Sequence, residues 1–265
     1  MAPRESRKNA AYEFERTERL HETRGTEGLL NRLTPVRWRV HQDARINAKV
    51  IAIAGPLARQ FDQPLILGVG VGDGRLLRMI WNEPSVTRVG VDINHDVLTR
   101  HVQNEFVPVE GSACPLPIRA GSVDIVLFGN VLHHLVGQDL VEDAVREAGR
   151  VLRPGGYIVA LEPSSWSASG LAMNVANRFR LMNTLTGSSN YEFAISPSYL
   201  LGLLRREGSV VSVRGLTYLW SRRLPIWLQA VVDRMEPYLF RSDRAQWLAD
   251  FVVYVVRKDT ASRSA

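Results

Sequence analysis

Residues 65–80 read Leu65-Ile66-Leu67-Gly68-Val69-Gly70-Val71-Gly72-Asp73-Gly74-Arg75-Leu76-Leu77-Arg78-Met79-Ile80. A short apolar run leads into a glycine-rich loop, and a helix-forming segment follows. Strand, glycine loop and helix open a nucleotide-binding β-α-β unit, where bare backbone lets a ligand approach closely. A dinucleotide fingerprint has glycines at its first, third and sixth positions, but the sixth position is Asp73 counted from Gly68 and Arg75 counted from Gly70. The G-x-G-x-G-x-G spacing therefore argues against a dinucleotide.

A second anchor follows the loop by about 20 residues. Residues 86–94 read as a buried strand that ends in the carboxylate of Asp92. This carboxylate could accept both hydroxyls of a ribose, or it could cap the helix that follows. The glycine loop at the right distance upstream favours the ribose.

The central part of the chain alternates between strand and helix patterns. We predict strands at 64–69, 87–92, 105–109, 123–129 and 156–162, and helices at about 74–81, 95–102 and 138–151. Such alternation predicts a parallel sheet with helices on both faces. Ligands of these sheets bind beyond the carboxyl ends of the strands, where the glycine loop and Asp92 lie.

Six motifs occur in order over roughly residues 63–163. They are the glycine loop, Gly90-Val91-Asp92-Ile93, Gly111-Ser112-Ala113 with Leu116-Pro117, Ser122-Val123-Asp124-Ile125-Val126, Val131-Leu132-His133-His134-Leu135 and Val151-Leu152-Arg153-Pro154-Gly155-Gly156. Together they resemble class I S-adenosylmethionine-dependent methyltransferases of the small-molecule type. The resemblance implies an α/β fold: a Rossmann-like, doubly wound, mostly parallel seven-stranded sheet with an antiparallel last strand and helical cap or lid insertions. It also implies S-adenosylmethionine as cofactor and S-adenosylhomocysteine as product.

The resemblance assigns cofactor contacts to the ends of the first, second and fourth strands and to the loop after the third. The residues are Gly68, Val69, Gly70, Gly72, Asp73, Asp92, Ile93, Ser112, Ala113, Asn130 and Val131. Two positions depart from the family: it usually has an acid where Gly68 stands and an aspartate where Ser112 stands. Serine accepts a hydrogen bond from adenine more weakly, and glycine cannot replace an acid. The methionine ammonium must then be held by backbone carbonyls, by Asp73 or by another segment.

Three residues are candidates for chemistry. A methyl transfer needs a base only when the acceptor must lose a proton. His133 and His134 follow the fourth strand and could provide one, but each could equally be a structural histidine bonded to backbone. Glu162, at the end of the fifth strand, is a candidate base, a substrate anchor or a capping carboxylate.

The sequence favours no metal site and no cysteine nucleophile. Adjacent histidines rarely converge on one ion, and we expect His133 and His134 to point apart, with no further His or Cys at ligand spacing. Cys114 precedes a proline, the reverse of the Pro-Cys order of cytosine methyltransferases, and is expected to pack beside the adenine.

The organisation outside the core suggests a helical N-terminal cap or lid (1–62), the cofactor-binding core (63–163), and a segment that completes the sheet and carries lid insertions (164–265). Residues 1–30 are either a frayed terminus or a lid. Residues 36–60 form a helix interrupted at Gly55-Pro56, 164–190 a loop with an irregular helix, and 198–206 a helix. Residues 210–219 and 251–256 form strands, with an amphipathic insertion at 225–248.

The insertions should select the substrate. Aromatic-rich lids usually line apolar pockets, although ordinary packing would explain the same residues. The candidate pocket residues are Trp166, Met173, Phe179, Met182, Tyr191, Phe193, Trp220 and Trp227. Four arginines of the same insertions could bind an anionic group of the substrate or could be solvated: Arg178, Arg180, Arg222 and Arg223.

Composition leaves the class of partner open. The 265 residues carry a net charge of +6 and one cysteine, so no internal disulfide forms. We find no apolar run near 18 residues and no secretory signal, so we expect a cytoplasmic protein, with arginine usage typical of high-GC bacteria. Oligomerisation stays open.

The sequence thus predicts methyl transfer to oxygen, nitrogen or carbon of a small, partly apolar metabolite of bacterial secondary metabolism. A non-methylating cyclase or pseudoenzyme is the alternative. A nucleic-acid methyltransferase is less favoured because the Asn/Asp/Ser-Pro-Pro-aromatic motif is absent, and an aminopropyl transferase because its acidic motif is absent.

Overall fold

The computed structural model describes residues 36–72, 74–100, 106–179, 192–218, 225–239 and 245–260. The helices are α1 (Val36–Ala54), α2 (Arg75–Ile80), α3 (His95–Arg100), α4 (Leu132–Leu135), α5 (Val141–Val151), α6 (Ala168–Arg178), α7 (Pro197–Leu204) and α8 (Ile226–Leu239), with 3-10 turns at Gly55–Gln60, Val136–Gln138 and Ala245–Leu248. The strands are β1 (Leu65–Val69), β2 (Thr87–Asp92), β3 (Val107–Glu110), β4 (Val123–Gly129), β5 (Leu152–Pro163), β6 (Ser209–Thr217) and β7 (Phe251–Arg257).

The strands form one seven-stranded sheet in the order β3-β2-β1-β4-β5-β7-β6. Strands β1 to β5 are parallel to one another, and β7 lies antiparallel between β5 and β6. This confirms the predicted Rossmann-like fold and its antiparallel last strand. Sequence order reverses between β1 and β4, so the switch point lies beside the glycine loop.

Each face of the sheet has its own apolar core, because alternate residues of a strand point to opposite faces. Leu67 and Phe128 pack on one face with residues of α5 and α7. Ile66 and Ile125 pack on the other face with residues of α1, α2 and α3. Helices therefore cover both faces, as a mostly parallel sheet requires.

Helix α1 is part of this packing. Val50 and Ala54 are fully buried in the second core, beneath the sheet. Arg45 and Lys49 pair with the buried Glu236 of α8, which ties α1 to the C-terminal segment. The described part of the predicted N-terminal cap thus contributes to the core; the three-part division of the chain stays a prediction, and residues 1–35 lie outside the described ranges.

Most element boundaries fall within a few residues of the predicted ones. The largest differences are β5, which begins at Leu152 rather than 156, and α5, which begins at Val141 rather than 138 and is preceded by the short α4 and a 3-10 turn that were not predicted. Among the described helices, none has the length and hydropathy that crossing a membrane requires.

Candidate functional site

The predicted site residues gather at one edge of the sheet. Val69 pairs with both Val91 and Phe128, and Gly129 pairs with Leu161, so β1, β2, β4 and β5 end side by side. The carboxyl ends of these parallel strands bring the glycine loop together with Asp92, Asn130 and Glu162. Asp73 is the exception: it lies outside the described residues.

Two glycines of the loop require bare backbone for different reasons. Gly70 has φ +60°, and a Cβ there would lie 2.2 Å from Cγ2 of Val131, so the loop packs directly on the segment after β4. Gly72 has φ +54°, and a Cβ there would meet nothing within 4 Å. Open space above Gly72 is where a ligand could approach the loop.

Asp92 is buried and holds the loop in place. Its Oδ2 accepts the N–H of Gly72 at 2.8 Å, and its Oδ1 accepts the N–H of Asn94 at 2.9 Å. The neighbouring Asn94, not Asp92, caps α3, since its Oδ1 accepts the N–H of Val97 at 3.3 Å. Each carboxylate oxygen has a further lone pair for a ribose hydroxyl, and the adjacent Ile93 is buried.

Gly68 lies in a tight apolar environment at the end of β1. A Cβ there would stand 3.1 Å from Cγ2 of Val71 and 3.3 Å from Cδ2 of Leu77. The side chains of Val71 and Leu77 thus occupy the space in which an acidic side chain would begin. The departure from the family pattern is accompanied by tight packing, in which Val71 and Leu77 would have to shift to admit an acid.

The loop after β3 is organised by Ser112. Its hydroxyl oxygen accepts the N–H of Cys114 at 3.2 Å and donates to the carbonyl of Cys114 at 3.3 Å. Ser112, Ala113 and Cys114 are all buried. The hydroxyl oxygen can accept one more hydrogen bond, which is what an adenine amine would need.

Asn130 is the exposed residue at the end of β4. Its φ of +59° turns the chain out of the strand, and its N–H donates to the carbonyl of Leu161 at 2.9 Å. Val131, the next residue, is buried against Gly70. The sharp turn therefore presents Asn130 beside the loop and begins the segment that carries both histidines.

The Glu162 carboxylate binds the backbone at the start of α4. It is 1% exposed, and its Oε1 accepts the N–H groups of Val131 at 3.0 Å and Leu132 at 2.8 Å. Its Oε2 lies 2.8 Å from Nδ1 of His133 and accepts that residue's N–H at 3.3 Å. The carboxylate thus caps α4, one of the predicted alternatives, and also orients His133.

Glu162 also affects the pKa of a neighbouring tyrosine hydroxyl. Burial, and after it the nearby Glu162 carboxylate, raises the pKa of the Tyr254 hydroxyl on β7. In the tautomer of His133 that carries its hydrogen on Nδ1, this N–H donates to Oε2 of Glu162, and Nε2 is the basic ring nitrogen.

His134 lies beside His133, which corrects the expectation that adjacent histidines point apart. The two ring centroids are 4.1 Å apart, with an angle of 33° between the planes. The Nδ1 atom of His134 is 3.6 Å from Oε1 of Glu192, a buried acid that the sequence analysis did not single out. No spacing rule connects residues 134 and 192, so only the folded chain reveals this contact.

Helices α6 and α8 follow two strands that end at the same edge of the sheet. Pro163 at the end of β5 and Thr217 at the end of β6 both pair with Phe251 of β7. Helix α6 follows β5, capped by the Ser167 hydroxyl, and α8 follows β6. That the two helices form a lid stays a prediction.

Both helices carry exposed apolar side chains at intervals of four residues, which places them on one face of each helix. They are Leu171, Val175 and Phe179 on α6, and Trp227, Val231 and Met235 on α8. Trp166 is also exposed, Met173 is half-buried, and the predicted Arg180, Met182, Tyr191, Trp220, Arg222 and Arg223 lie outside the described residues.

Comparison with known sequences identifies the central segment. The family model of a methyltransferase domain matches residues 67–160. A tRNA (carboxymethyluridine(34)-5-O)-methyltransferase of Arabidopsis thaliana is 30% identical over 95 residues, which cover 36% of this chain and 23% of that protein. The chain therefore matches less than a quarter of that relative's length.

Solved structures share the fold. The [4+2]-cyclase SpnF superposes with a TM-score of 0.55 at 15% identity, over 80% of this chain and 82% of that one. A SAM-dependent methyltransferase of Thermotoga maritima gives a TM-score of 0.54 at 16% identity, over 81% and 92%.

Proposed function

Because residues 67–160 form a methyltransferase domain of the class I S-adenosylmethionine-dependent family, we propose that this chain methylates a small, partly apolar metabolite, with an oxygen acceptor favoured over nitrogen or carbon. S-adenosylmethionine is the cofactor of the domain. A cytoplasmic location and a role in bacterial secondary metabolism stay predictions.

The described residues fit the adenosyl part of this cofactor. Asp92 offers two acceptor oxygens beside the open backbone of Gly72, which suits a ribose with two neighbouring hydroxyls. Asn130 stands exposed on the next strand end, where the methionine portion would lie. Because Gly68 has no acidic side chain, the methionine ammonium must be held by backbone carbonyls, by Asp73 or by another segment.

The chain's own residues would position the acceptor and remove its proton. When bound, the cofactor would supply an electrophilic methyl carbon; the acceptor would bond to this carbon and displace the sulfur, which keeps the S–C electron pair. Such a displacement depends on orientation and exclusion of water. An acceptor hydroxyl would be activated at the histidine pair of α4, and Glu162 would act by positioning His133.

The apolar faces of α6 and α8 are the observation that carries the substrate class. Exposed side chains such as Val175 and Trp227 lie on helices that follow β5 and β6, two strands that end at the same edge of the sheet as the candidate site. Apolar clefts with a few polar groups are the usual form of small-molecule sites. These two faces support an acceptor with substantial apolar surface.

The experiment incubates the purified chain with methyl-labelled S-adenosylmethionine and either host metabolite extracts or tRNA. We expect label in an apolar small molecule, and loss of labelling in the Val175→Ser and Trp227→Ser proteins through a raised KM. Tyr199→Ser, an exposed aromatic residue of α7, is the matched control.

Two outcomes would contradict the proposal. Label in tRNA would assign the activity that the Arabidopsis relative's name states. Label that stays on the cofactor, with binding intact, would favour a non-methylating protein such as a cyclase, the activity named for SpnF.

A further inference from the structure

We propose that His133, His134 and Glu192 form a binding site for one divalent transition-metal cation. One ligand atom from each residue lies within 4.8 Å of the other two. His133 and Glu192 are buried and His134 is half-buried, so the cluster is largely withdrawn from solvent. The proposal deepens the proposed function, on which its catalytic meaning rests.

The donor set suits zinc and its neighbours. Two imidazoles and one carboxylate are the protein ligands of several catalytic zinc sites, which keep a further position open. Because Nδ1 of His133 faces Glu162 at 2.8 Å, a cation would be bound through Nε2. A carboxylate that accepts the other ring N–H of a ligating histidine is the usual support of such a ligand.

The three ligands are brought together by two rigid segments. Glu162 fixes the start of α4 and thereby both histidines. The segment that carries Glu192 is bound to the same place, since the N–H of Phe193 donates to the carbonyl of His133 at 3.1 Å and the N–H of Ile195 donates to that of Pro163 at 3.0 Å. Neither contact requires a metal.

Two buried acids lie against the two imidazoles. Oε2 of Glu162 is 2.8 Å from Nδ1 of His133, and Oε1 of Glu192 is 3.6 Å from Nδ1 of His134. Imidazole nitrogen and carboxylate oxygen together are a donor set that zinc accepts.

To bind a cation, the three ligand atoms must move slightly closer together. Metal–ligand bonds of about 2.0–2.2 Å in tetrahedral geometry place ligand atoms about 3.4 Å apart. The ligand atoms here lie within 4.8 Å, so side-chain rotation of the half-buried His134 and of Glu192 must close the difference.

Helix α4, which carries both histidines, follows Asn130 almost directly along the chain, and we therefore assign the cation a role in the reaction. A cation there would lower the pKa of a bound acceptor hydroxyl. The O–H bond breaks and its proton leaves to water, the oxygen bonds to the methyl carbon, and the S–C electron pair remains on sulfur as the neutral thioether. The imidazoles then serve as ligands rather than as bases.

The test titrates Co(II), and separately Zn(II), into the chelator-treated, tag-free full chain, following visible absorption and bound metal. We expect one equivalent with absorption typical of nitrogen and oxygen ligands. His134→Ala and Glu192→Gln should weaken binding by about 10-fold or more. His95→Ala, an exposed histidine paired with Glu110, should bind like the wild type.

The variants must keep their melting temperature and their affinity for S-adenosylhomocysteine. If either variant unfolds, the site is tested by NMR of the Co(II)-bound wild-type protein. Hyperfine-shifted imidazole signals from two histidines support the site, and the absence of such signals overturns it. Equal binding by wild type and His134→Ala also overturns it, as does a wild type that binds no cation.

The two proposals fail separately. Methyl transfer at full rate in chelator, by a chain that binds no cation, overturns the metal site and leaves the proposed function. Stoichiometric cation binding without methyl transfer to any acceptor leaves the metal site and counts against the proposed function.

Discussion

Oε2 of Glu162 lies 2.8 Å from Nδ1 of His133, and the same carboxylate accepts the first N–H groups of α4. One buried side chain thus sets both the backbone of the segment after β4 and the orientation of an imidazole. The end of β5 is thereby linked to the start of α4. Because Glu162 is buried and its oxygens are taken up by these contacts, we propose that it is a positioning residue rather than the base.

Replacing this carboxylate tests that role. In Glu162→Gln, the amide oxygen can still accept the N–H groups of Val131 and Leu132, but its NH2 group faces Nδ1 of His133. The ring should then carry its hydrogen on Nε2. We expect a loss of about 10- to 100-fold in kcat and about 2 kcal/mol in the free energy of unfolding.

Side-chain ¹⁵N NMR of His133 would report the tautomer, and steady-state kinetics would measure the loss in kcat. A merely structural Glu162 would lower stability while leaving the tautomer and kcat unchanged. The conservative Glu162→Asp protein retains an ionised acceptor and should keep the wild-type tautomer.

Asp92 should be required for cofactor affinity. Asp92→Ala removes both ribose acceptors and also the acceptor for the N–H of Gly72. Each lost charge-assisted hydrogen bond weakens binding by roughly 1.5 kcal/mol or more, so affinity for S-adenosylhomocysteine should fall at least about 10-fold. Calorimetry measures this fall, and Asp62→Ala, an exposed acid, is the control. Unchanged affinity in Asp92→Ala would contradict the ribose role.

The sequence was most informative where chemistry is local. Asp92 follows its strand at a fixed distance from the glycine loop, so its position could be predicted. The sequence could not predict whether Asp92 caps α3, because the residue that does so, Asn94, is identified only by its hydrogen bond to Val97. Motif spacing locates a residue on an element but does not tell which of two neighbouring polar groups makes a given bond.

Long-range contacts were the part that sequence could not supply. Glu162 and His133 could each be named as candidates, yet their pairing depends on the register of β4 with β5. Glu192 was missed because it reaches His134 from a segment that follows α6, and no periodic pattern brings the two together. The expectation that adjacent histidines diverge was wrong because both rings lie on a very short helix that Glu162 fixes at its start.

Gly72 and Gly121 form a matched pair for testing the cofactor's approach. Both have positive φ, +54° and +64°, and a Cβ at either would meet nothing within 4 Å. Changing either to Ala should cost about 1–2 kcal/mol of backbone strain. We expect Gly72→Ala, but not Gly121→Ala, to weaken S-adenosylhomocysteine binding beyond detection by calorimetry. Equal affinities for the two proteins would show that the ligand does not lie over Gly72.

Restoring the family's acid at Gly68 should harm the protein rather than improve it. Gly68 is buried, and the Cβ of Gly68→Asp would stand 3.1 Å from Val71 and 3.3 Å from Leu77, so the carboxylate would enter an apolar space. Burying an unpaired charge is costly, and we expect a melting temperature several degrees lower with no gain in cofactor affinity. Gly202→Asp is the control, since a Cβ at that exposed helical position meets nothing within 4 Å. A Gly68→Asp protein that melts like Gly202→Asp and binds S-adenosylhomocysteine more tightly would mean that Val71 and Leu77 can move aside for an acid. In that case, the wild-type protein would lack a partner for the cofactor's ammonium that an acid at position 68 could provide.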